Sequence, residues 1–343
     1  MVYGVWTFLT AALAFAISAI SGKYLIPFLH KLKYGQTILE EGPKWHEKKQ
    51  GTPTMGGIMF ILGICVSAVL SVTVFAICGH NFFNIYLPEI DSQKVTVFAG
   101  LAMAFCYGLV GFLDDYIKVV KKRNLGLTAK QKLVLQFGIA AIYLSVLAAF
   151  GIDTKTLIPF IGYIDLGFFY YIIAAVVIVG IVNAVNLTDG LDGLCGSVTF
   201  FAALFFMLIA SLMSYLGVTA LSAAVAGGCL GFLVWNFYPA KVFMGDTGSL
   251  FLGGIVCAMA FALDMPILLL PVGIIYICEE LSVTLQVSYF KLTHGKRLFK
   301  MSPIHHHFEL CGWSEVKIVI VFSLVTVIFG ILAFLSVMYG VNP

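Results

Sequence analysis

The chain has 343 residues, of which 61% are hydrophobic and only 11% charged, and its mean hydropathy is +1.01. A soluble domain is about 45–50% apolar and about 25% charged, so this composition excludes an ordinary globular cytosolic protein. At roughly 20 residues per transmembrane helix, the apolar share is enough for about ten spans. We therefore expect an all-α, polytopic integral membrane protein that forms one transmembrane domain over residues 1–343.

The apolar runs predict spans at residues 3–30, 54–79, 95–113, 131–150, 167–185, 194–213, 220–238, 248–264, 267–289 and 316–339. Apart from Lys94 and Lys155, the 20 lysines and arginines lie toward one side: 17 fall in or beside the segments that follow odd-numbered spans, and Lys23 lies in the half of the first span nearer to that side. The positive-inside rule makes that side cytoplasmic, and an even number of spans then places both termini outside. The predicted cytoplasmic loops cover about 31–53, 114–130, 186–193, 239–247 and 290–315.

Five aspartates collect at the cytoplasmic ends of three predicted spans: Asp114, Asp115, Asp189, Asp192 and Asp246. Carboxylates beside basic loops favour a hard divalent cation with bound phosphate, because magnesium prefers one or two carboxylates plus phosphate oxygens. Helix capping and interfacial solvation are the structural alternative. The chain has no G-x-x-x-x-G-K-[ST] motif, so the sequence does not support a P-loop NTPase. The residues indicate a magnesium-dependent membrane enzyme that acts on a phosphorylated substrate at the cytoplasmic face.

Other side chains near these acids are candidates for substrate contact. The lysines closest to the acidic or glycine-rich stretches favour phosphate binding, although lysines at inner helix ends also serve topology and attract anionic lipids. Phe243 is placed to stack on a planar base or to lie at the membrane interface. Three consecutive histidines point in different directions, which favours contacts to a phosphate or sugar over a single zinc site. Glu279 and Glu280 lie inside the ninth predicted span, and we assign them no role.

The motifs occur in the order and spacing of a known family. They are Asp114-Asp115, Asn183-x-x-Asn186-x-x-Asp189-Gly190-x-Asp192-Gly193, Met244-Gly245-Asp246-Thr247-Gly248-Ser249 and Pro303-x-His305-His306-His307. Together they resemble the polyprenyl-phosphate N-acetylhexosamine-1-phosphate transferases over the whole chain. The uninterrupted histidines and the stretch from Gly51 to Gly57 are most similar to the phospho-N-acetylmuramoyl-pentapeptide transferases within that family.

The resemblance implies transfer of phospho-MurNAc-pentapeptide from UDP-MurNAc-pentapeptide to undecaprenyl phosphate, which gives lipid I and UMP for peptidoglycan synthesis. It implies Mg²⁺ as cofactor, a homodimer in the lipid bilayer of the bacterial inner membrane, a cytoplasmic catalytic face and no nucleic-acid partner. Asp246 would hold the magnesium, with Asp114 as a second candidate ligand, and Asp114 and Asp115 would serve the lipid phosphate. The implied substrate-binding residues are Lys49, Thr54, Lys118, Lys122, Lys130, Asn183, Asn186, Asp189, Gly190, Asp192, Asn236, Phe243, His305, His306 and His307.

Two mechanisms stay open at this point. Asp114 would deprotonate the lipid phosphate for direct attack, or an aspartate would form a covalent phospho-enzyme. A phosphate monoester has a second pKa of about 6, so at neutral pH a base would add little.

Two other functions compete with this one. A sister transferase would move GlcNAc-1-phosphate from UDP-GlcNAc to a polyprenyl phosphate. By resemblance, the intact histidines and the Thr-Pro-Thr stretch argue against this function. A secondary transporter would use Glu279 or Glu280 as a proton relay, but transporters often show paired repeats, and none is visible here.

Overall fold

The computed structural model describes residues 2–31, 49–77, 90–120 and 126–341. Within these ranges the chain is a helical bundle with one small antiparallel hairpin. The helices are α1 (Val2–Lys31), α2 (Gly57–Ile77), α3 (Ile90–Val120), α4 (Ala129–Ala149), α5 (Phe168–Thr188), α6 (Leu194–Leu212), α7 (Leu216–Asn236), α8 (Gly245–Phe261), α9 (Leu269–Val272), α10 (Ile274–Leu292), α11 (Ile304–Leu310) and α12 (Glu315–Gly340). The hairpin consists of β1 (Lys155–Ile158) and β2 (Gly162–Asp165).

The helices confirm an all-α, multi-pass membrane architecture. Among the described residues, eight helices are long and apolar enough to cross a membrane, or nine if the bent pair formed by Pro266–Val272 and α10 counts as one. The remaining predicted span corresponds to α8, which is apolar but has only 17 residues. The count of ten and the outward orientation of the termini stay predictions.

Three helices extend beyond the ends that were predicted for the corresponding spans. Asp114, Asp115 and Lys118 lie on α3, which continues to Val120 rather than ending near residue 113. Likewise, α5 continues to Thr188, and α8 begins at Gly245 instead of 248. Polar residues at these helix ends need not leave the helix when they pair with one another, so the polarity of the sequence does not mark the helix end.

Helix α8 lies at the centre of the bundle, and every residue from Thr247 to Phe261 is buried. It packs most extensively on α3 and α5, and small residues allow the close approach. A Cβ added to Gly254 would lie 2.8 Å from the Cα of Ala104 on α3, and one added to Gly253 would lie 2.6 Å from the Cα of Val182 on α5. Helix α8 is therefore held closely between α3 and α5.

The predicted span 267–289 is broken rather than continuous. The segment Pro266–Val272 and helix α10 meet at Gly273 with a bend of 81°. The hairpin was not predicted from the sequence. It pairs Lys155 with Asp165 and Ile158 with Gly162, on the side opposite the aspartates. The segment predicted as the loop 290–315 also contains the short helix α11, which carries the three histidines.

Candidate active site

Three of the predicted aspartates meet where α3 passes the N-terminus of α8. Asp114, Asp115 and Asp246 each offer a carboxylate oxygen, and these oxygens all lie within 4.8 Å of one another. Asp114 and Asp115 are almost completely buried, and Asp246 keeps 17% of its side chain exposed. Gly111, one turn before Asp114, is in such close contact with the carbonyl oxygen of Asp246 that no Cβ would fit. The helix packing therefore brings the carboxylates together.

Two lysines lie among these three carboxylates. Lys118 Nζ is 2.6 Å from Asp114 Oδ2 and 3.0 Å from Asp246 Oδ2. Lys132 Nζ is 2.6 Å from the same Asp246 oxygen and 3.5 Å from Asp114 Oδ2. The lysines offset part of the negative charge that a buried aspartate cluster accumulates. Both are placed to contact a phosphate bound beside the carboxylates.

Lys132 was missing from the predicted site, which named Lys130 instead. Lys132, Gln136 and Ala140 follow one another at intervals of four on the inner face of α4, whereas Lys130 is exposed. Thr128 caps this helix, so Lys132 lies in its first turn. No signal in the sequence favoured this choice, because the burial of Gln136 on the same face is visible only in the structure. The predicted Lys122 lies outside the described residues.

Asp115 binds the N-terminus of α8 directly. Its Oδ2 accepts hydrogen bonds from the Thr247 backbone N–H at 2.9 Å and from Thr247 Oγ1 at 2.7 Å. Its Oδ1 accepts from the Asp246 backbone N–H at 3.2 Å. A carboxylate in this position accepts hydrogen bonds from backbone N–H groups that have no acceptor within the helix, and its negative charge interacts favourably with the positive end of the helix dipole. Asp115 thus holds the helix turn that carries Asp246. Its role toward the lipid phosphate stays a prediction.

The two asparagines at the end of α5 have different surroundings. Asn186 Nδ2 donates to Asp246 Oδ1 at 2.9 Å and to Ser249 Oγ at 2.7 Å, so it belongs to the aspartate cluster. Asn183 lies one turn deeper and exchanges hydrogen bonds with the Gln136 side chain on α4, at 2.8 and 3.3 Å. Asn186 orients Asp246, while Asn183 joins two helices beneath the site. Substrate contact by either stays a prediction.

The turn after α5 is tied to two other segments. Asp192 is buried, with Oδ1 2.7 Å from Lys49 Nζ and Oδ2 accepting from the Ala240 N–H at 2.9 Å. Lys49 also lies 2.6 Å from Glu315 Oε2 at the start of α12. Lys49 and Asp192 therefore pair with each other, and the structure brings both beside the turn as predicted.

Asn236 and Asp189 complete this turn. Asn236 is buried, accepts from the Gly193 N–H at 3.1 Å and donates to the Val242 carbonyl at 2.9 Å. Burial raises the pKa of Asp189 well above its usual range, and the charges of Asp246 and Asp115 raise it further. Asn236 thus fixes two loops, and Asp189 is an acid that a nearby cation would help to ionise.

The predicted glycine-rich stretch runs along the segment that precedes Asp246. The Phe243 N–H donates to the Pro53 carbonyl at 2.8 Å, and the Gly56 N–H donates to the Phe243 carbonyl at 2.8 Å. Phe243 is half-buried, so part of its ring is open to a ligand. A Cβ on Gly245 would lie 2.7 Å from Thr54 Oγ1, which puts Thr54 beside the turn into α8. The structure therefore brings Thr54 and Phe243 close to Asp246.

The three histidines face different partners, as predicted. His305 is fully buried, with Nδ1 3.0 Å from Glu279 Oε2, and its ring packs on Gly190. His306 Nδ1 lies 2.6 Å from Glu309 Oε2. His307 Nδ1 accepts from the Lys300 N–H at 3.1 Å. Of the three histidines, His305 is the one shown to contact the turn after α5, at Gly190. Its partner Glu279 was not predicted from the sequence.

The carboxylates fit a divalent cation. Hard cations take oxygen ligands, and three aspartate oxygens within 4.8 Å of one another supply them beside lysines that would bind phosphate. Asp246 has the most exposed carboxylate of the three and is therefore the most accessible ligand. The donor set does not distinguish magnesium from other hard divalent cations.

Comparison with known proteins connects this site to a family. Residues 97–264 match the model described as glycosyl transferase family 4, and residues 49–61 match phospho-N-acetylmuramoyl-pentapeptide-transferase signature 1. The chain is 49% identical over 332 residues to the phospho-N-acetylmuramoyl-pentapeptide-transferase of Shouchella clausii, covering 95% of this chain and 96% of the relative. The chain belongs to the phospho-N-acetylmuramoyl-pentapeptide-transferase family.

Two further phospho-N-acetylmuramoyl-pentapeptide-transferases are similar over nearly their whole length. The Bacillus subtilis protein is 49% identical over 314 residues, covering 91% of this chain and 92% of the relative. The Thermoanaerobacter sp. protein is 47% identical over 330 residues, covering 96% and 98%. The resemblance predicted from the motifs is confirmed. The signature match begins at Lys49, and the longer match contains all three clustered aspartates.

Proposed function

We propose that this protein transfers phospho-MurNAc-pentapeptide from UDP-MurNAc-pentapeptide to undecaprenyl phosphate, giving lipid I and UMP. Membership of the transferase family supports the reaction, and the cluster of Asp114, Asp115 and Asp246 supports its location. The observation that carries the proposal is that three carboxylates and two lysines converge at the end of a membrane bundle. A soluble nucleotide and a membrane-bound lipid can both reach such a boundary.

Asp246 and Asp114 would hold Mg²⁺, which when bound neutralises diphosphate charge and stabilises the leaving UMP. Lys118 and Lys132 contact the same carboxylates and would share the charge that develops on the transferred phosphoryl group. Asn186 holds Asp246 from the other side. Phosphoryl transfer requires mainly positioning and charge neutralisation, and this arrangement supplies both.

Direct transfer to the lipid phosphate fits the carboxylates better than a covalent phospho-enzyme. Both oxygens of Asp115 accept hydrogen bonds from α8, and Asp114 Oδ1 accepts from the Leu127 N–H at 2.7 Å. Asp114 Oδ2 lies 2.6 Å from Lys118 Nζ, and the two oxygens of Asp246 are paired with Asn186 and Lys132. Oxygens engaged in this way are poor nucleophiles. Exchange of labelled UMP into the donor without lipid phosphate tests this point, since only a covalent intermediate allows that exchange.

The catalytic face would be cytoplasmic, in a bacterial cell membrane. The distribution of lysine and arginine supports this orientation, because all but Lys94 and Lys155 belong to one side of the predicted topology. A homodimer, expected from the family resemblance, stays a prediction that the mass of the detergent-solubilised particle would test.

The direct test is formation of lipid-linked product by purified protein supplied with both substrates and Mg²⁺. We expect product from the wild type and at least a 10³-fold loss in Asp246→Asn and Asp246→Ala, in line with removal of a central electrostatic group. Asp165→Asn, in the exposed hairpin at the other end of α5, is the matched control and should retain full activity. Turnover with UDP-GlcNAc instead would assign the protein to the sister transferases.

A further inference from the structure

A buried acid–imidazole pair lies next to the turn after α5, and the function proposed so far gives its acid, Glu279, no part. Glu279 on α10 is fully buried, and its Oε2 lies 3.0 Å from Nδ1 of His305 on α11. Their side chains keep 0% and 1% of their surface exposed. Within the described parts of the chain, His305 is the one side chain shown to contact this carboxylate, through Oε2, and Oε1 has no hydrogen-bond partner there. A carboxylate at this depth requires such a donor, because burying it without one is strongly unfavourable.

The hydrogen bond decides how the imidazole is presented. When Glu279 is ionised its oxygens only accept, so Nδ1 of His305 then carries the proton that is shared with Glu279. The opposite ring nitrogen, Nε2, is then the atom available to a ligand. Carboxylates commonly fix the orientation and tautomer of functional histidines in this way.

The free nitrogen points at the turn after α5. Nε2 is buried and has no hydrogen-bond partner among the residues that the structure describes. Gly190 packs against this edge of the ring so closely that a Cβ would overlap Nε2. Gly190 itself is exposed, so the turn that covers Nε2 is open to a ligand. Buried polar atoms are seldom left unsatisfied, and an unpartnered one beside an exposed turn indicates a missing ligand contact.

We propose that Glu279 is a positioning residue that holds His305 by Nδ1, so that Nε2 faces the Gly190 turn and contacts the sugar diphosphate of the donor. The inference rests on the proposed function, because the donor identifies the ligand of that turn. Glu279 touches no substrate in this arrangement and acts only through His305. The broken span places it for this role, since α10 begins at the bend and carries Glu279 in its second turn.

A double-mutant cycle measures this dependence. Glu279→Gln should lower kcat/KM for the UDP-linked donor by about 10–100-fold, the usual effect of removing a residue that orients a functional histidine. His305→Ala should lower it at least as much. In the His305→Ala background, Glu279→Gln should change activity by less than about 3-fold, because the acid has nothing left to orient. The KM for undecaprenyl phosphate should stay within about 2-fold throughout.

Glu280→Gln is the matched control. Glu280 is the next acid on α10, is only partly buried and bonds to Thr284 on its own helix, so its replacement should change activity by less than about 2-fold. Thermal unfolding in detergent confirms that each variant is folded. Should Glu279→Gln fail to fold, Glu279→Asp takes its place in the cycle, because aspartate keeps the carboxylate on a side chain that is one methylene shorter and so moves it away from His305.

The outcomes separate the two proposals. If the wild type makes no lipid-linked product from UDP-MurNAc-pentapeptide, the proposed function fails before the cycle begins. If the wild type is active and the losses from Glu279→Gln and His305→Ala multiply in the double variant, Glu279 does not act through His305 and this inference is overturned. An equal loss of activity in Glu280→Gln would overturn the inference as well, since the loss would then follow from removing either acid of α10 and not from losing the contact with His305.

Discussion

Replacing Lys132 by methionine separates its two effects on the aspartate cluster. Its Nζ lies 2.6 Å from Asp246 Oδ2, where it competes with a bound cation but also supplies positive charge to the transferred phosphate. At an effective dielectric constant of about 20, a unit charge and a divalent cation about 4 Å apart interact by about 8 kcal/mol. Because 22% of the side chain is exposed and solvent and salt screen the pair, we take a quarter of that value, about 2 kcal/mol, for the repulsion between Lys132 and the cation.

This repulsion converts to about 30-fold in cation affinity, at 1.4 kcal/mol per factor of ten. In Lys132→Met, the Mg²⁺ concentration that gives half-maximal activity should therefore fall by about 30-fold. At the same time kcat should fall by about 100-fold, because one positioned group that stabilises the developing charge is lost. The assay is lipid-linked product formation over a magnesium titration at saturating substrates.

The control is Lys130→Met, two residues earlier on the exposed side of the same helix. It should leave both parameters within about 2-fold. A lower kcat in Lys132→Met with an unchanged magnesium requirement would refute the reasoning, because Lys132 and the cation would then not share Asp246. Equal effects in the two variants would point to the net charge of the loop instead.

Three further predictions concern helix packing, pH and the cation. Gly111→Ala should lower both activity and thermal stability, because its Cβ would overlap the Asp246 carbonyl. Gly138→Ala on α4 should be neutral or stabilising by up to about 1 kcal/mol, because its Cβ would meet no atom of the described residues within 4 Å. Equal melting temperatures in the two variants would contradict this. Burial and the nearby Asp153 raise the pKa of Asp264 to about 6. Since this folded-state value lies above the unfolded one, the favourable contribution of the protonated acid is lost as pH rises through about 6. The melting temperature in detergent should therefore fall between pH 5 and pH 8, and a fall of equal size in Asp264→Asn would exclude this acid as its cause. Chelation by EDTA should abolish product formation and excess Mg²⁺ should restore it; activity that persists without divalent cations would remove the assigned role of the cluster.

The broad architecture and the family could be predicted from the sequence. Apolar runs of about 20 residues identify spans because a bilayer has a fixed thickness, and the distribution of lysine indicates the orientation. The acids at helix ends identified the site, and the structure brings Asp114, Asp115 and Asp246 together as expected. These inferences depend on composition and chain order alone, so they required no knowledge of how the helices pack.

The side chains that face one another could not be predicted in this way. On a soluble helix an apolar stripe marks the buried face, but on a membrane helix the lipid-facing and core-facing sides are both apolar. The sequence therefore could not show that Lys132 rather than Lys130 points inward, or that Asn186 rather than Asn183 reaches Asp246. The pairing of Glu279 with His305 joins residues 26 positions apart across a bend. Only the packing of the helices decided these contacts, because in an apolar solvent the rotation of each helix is determined by its neighbours.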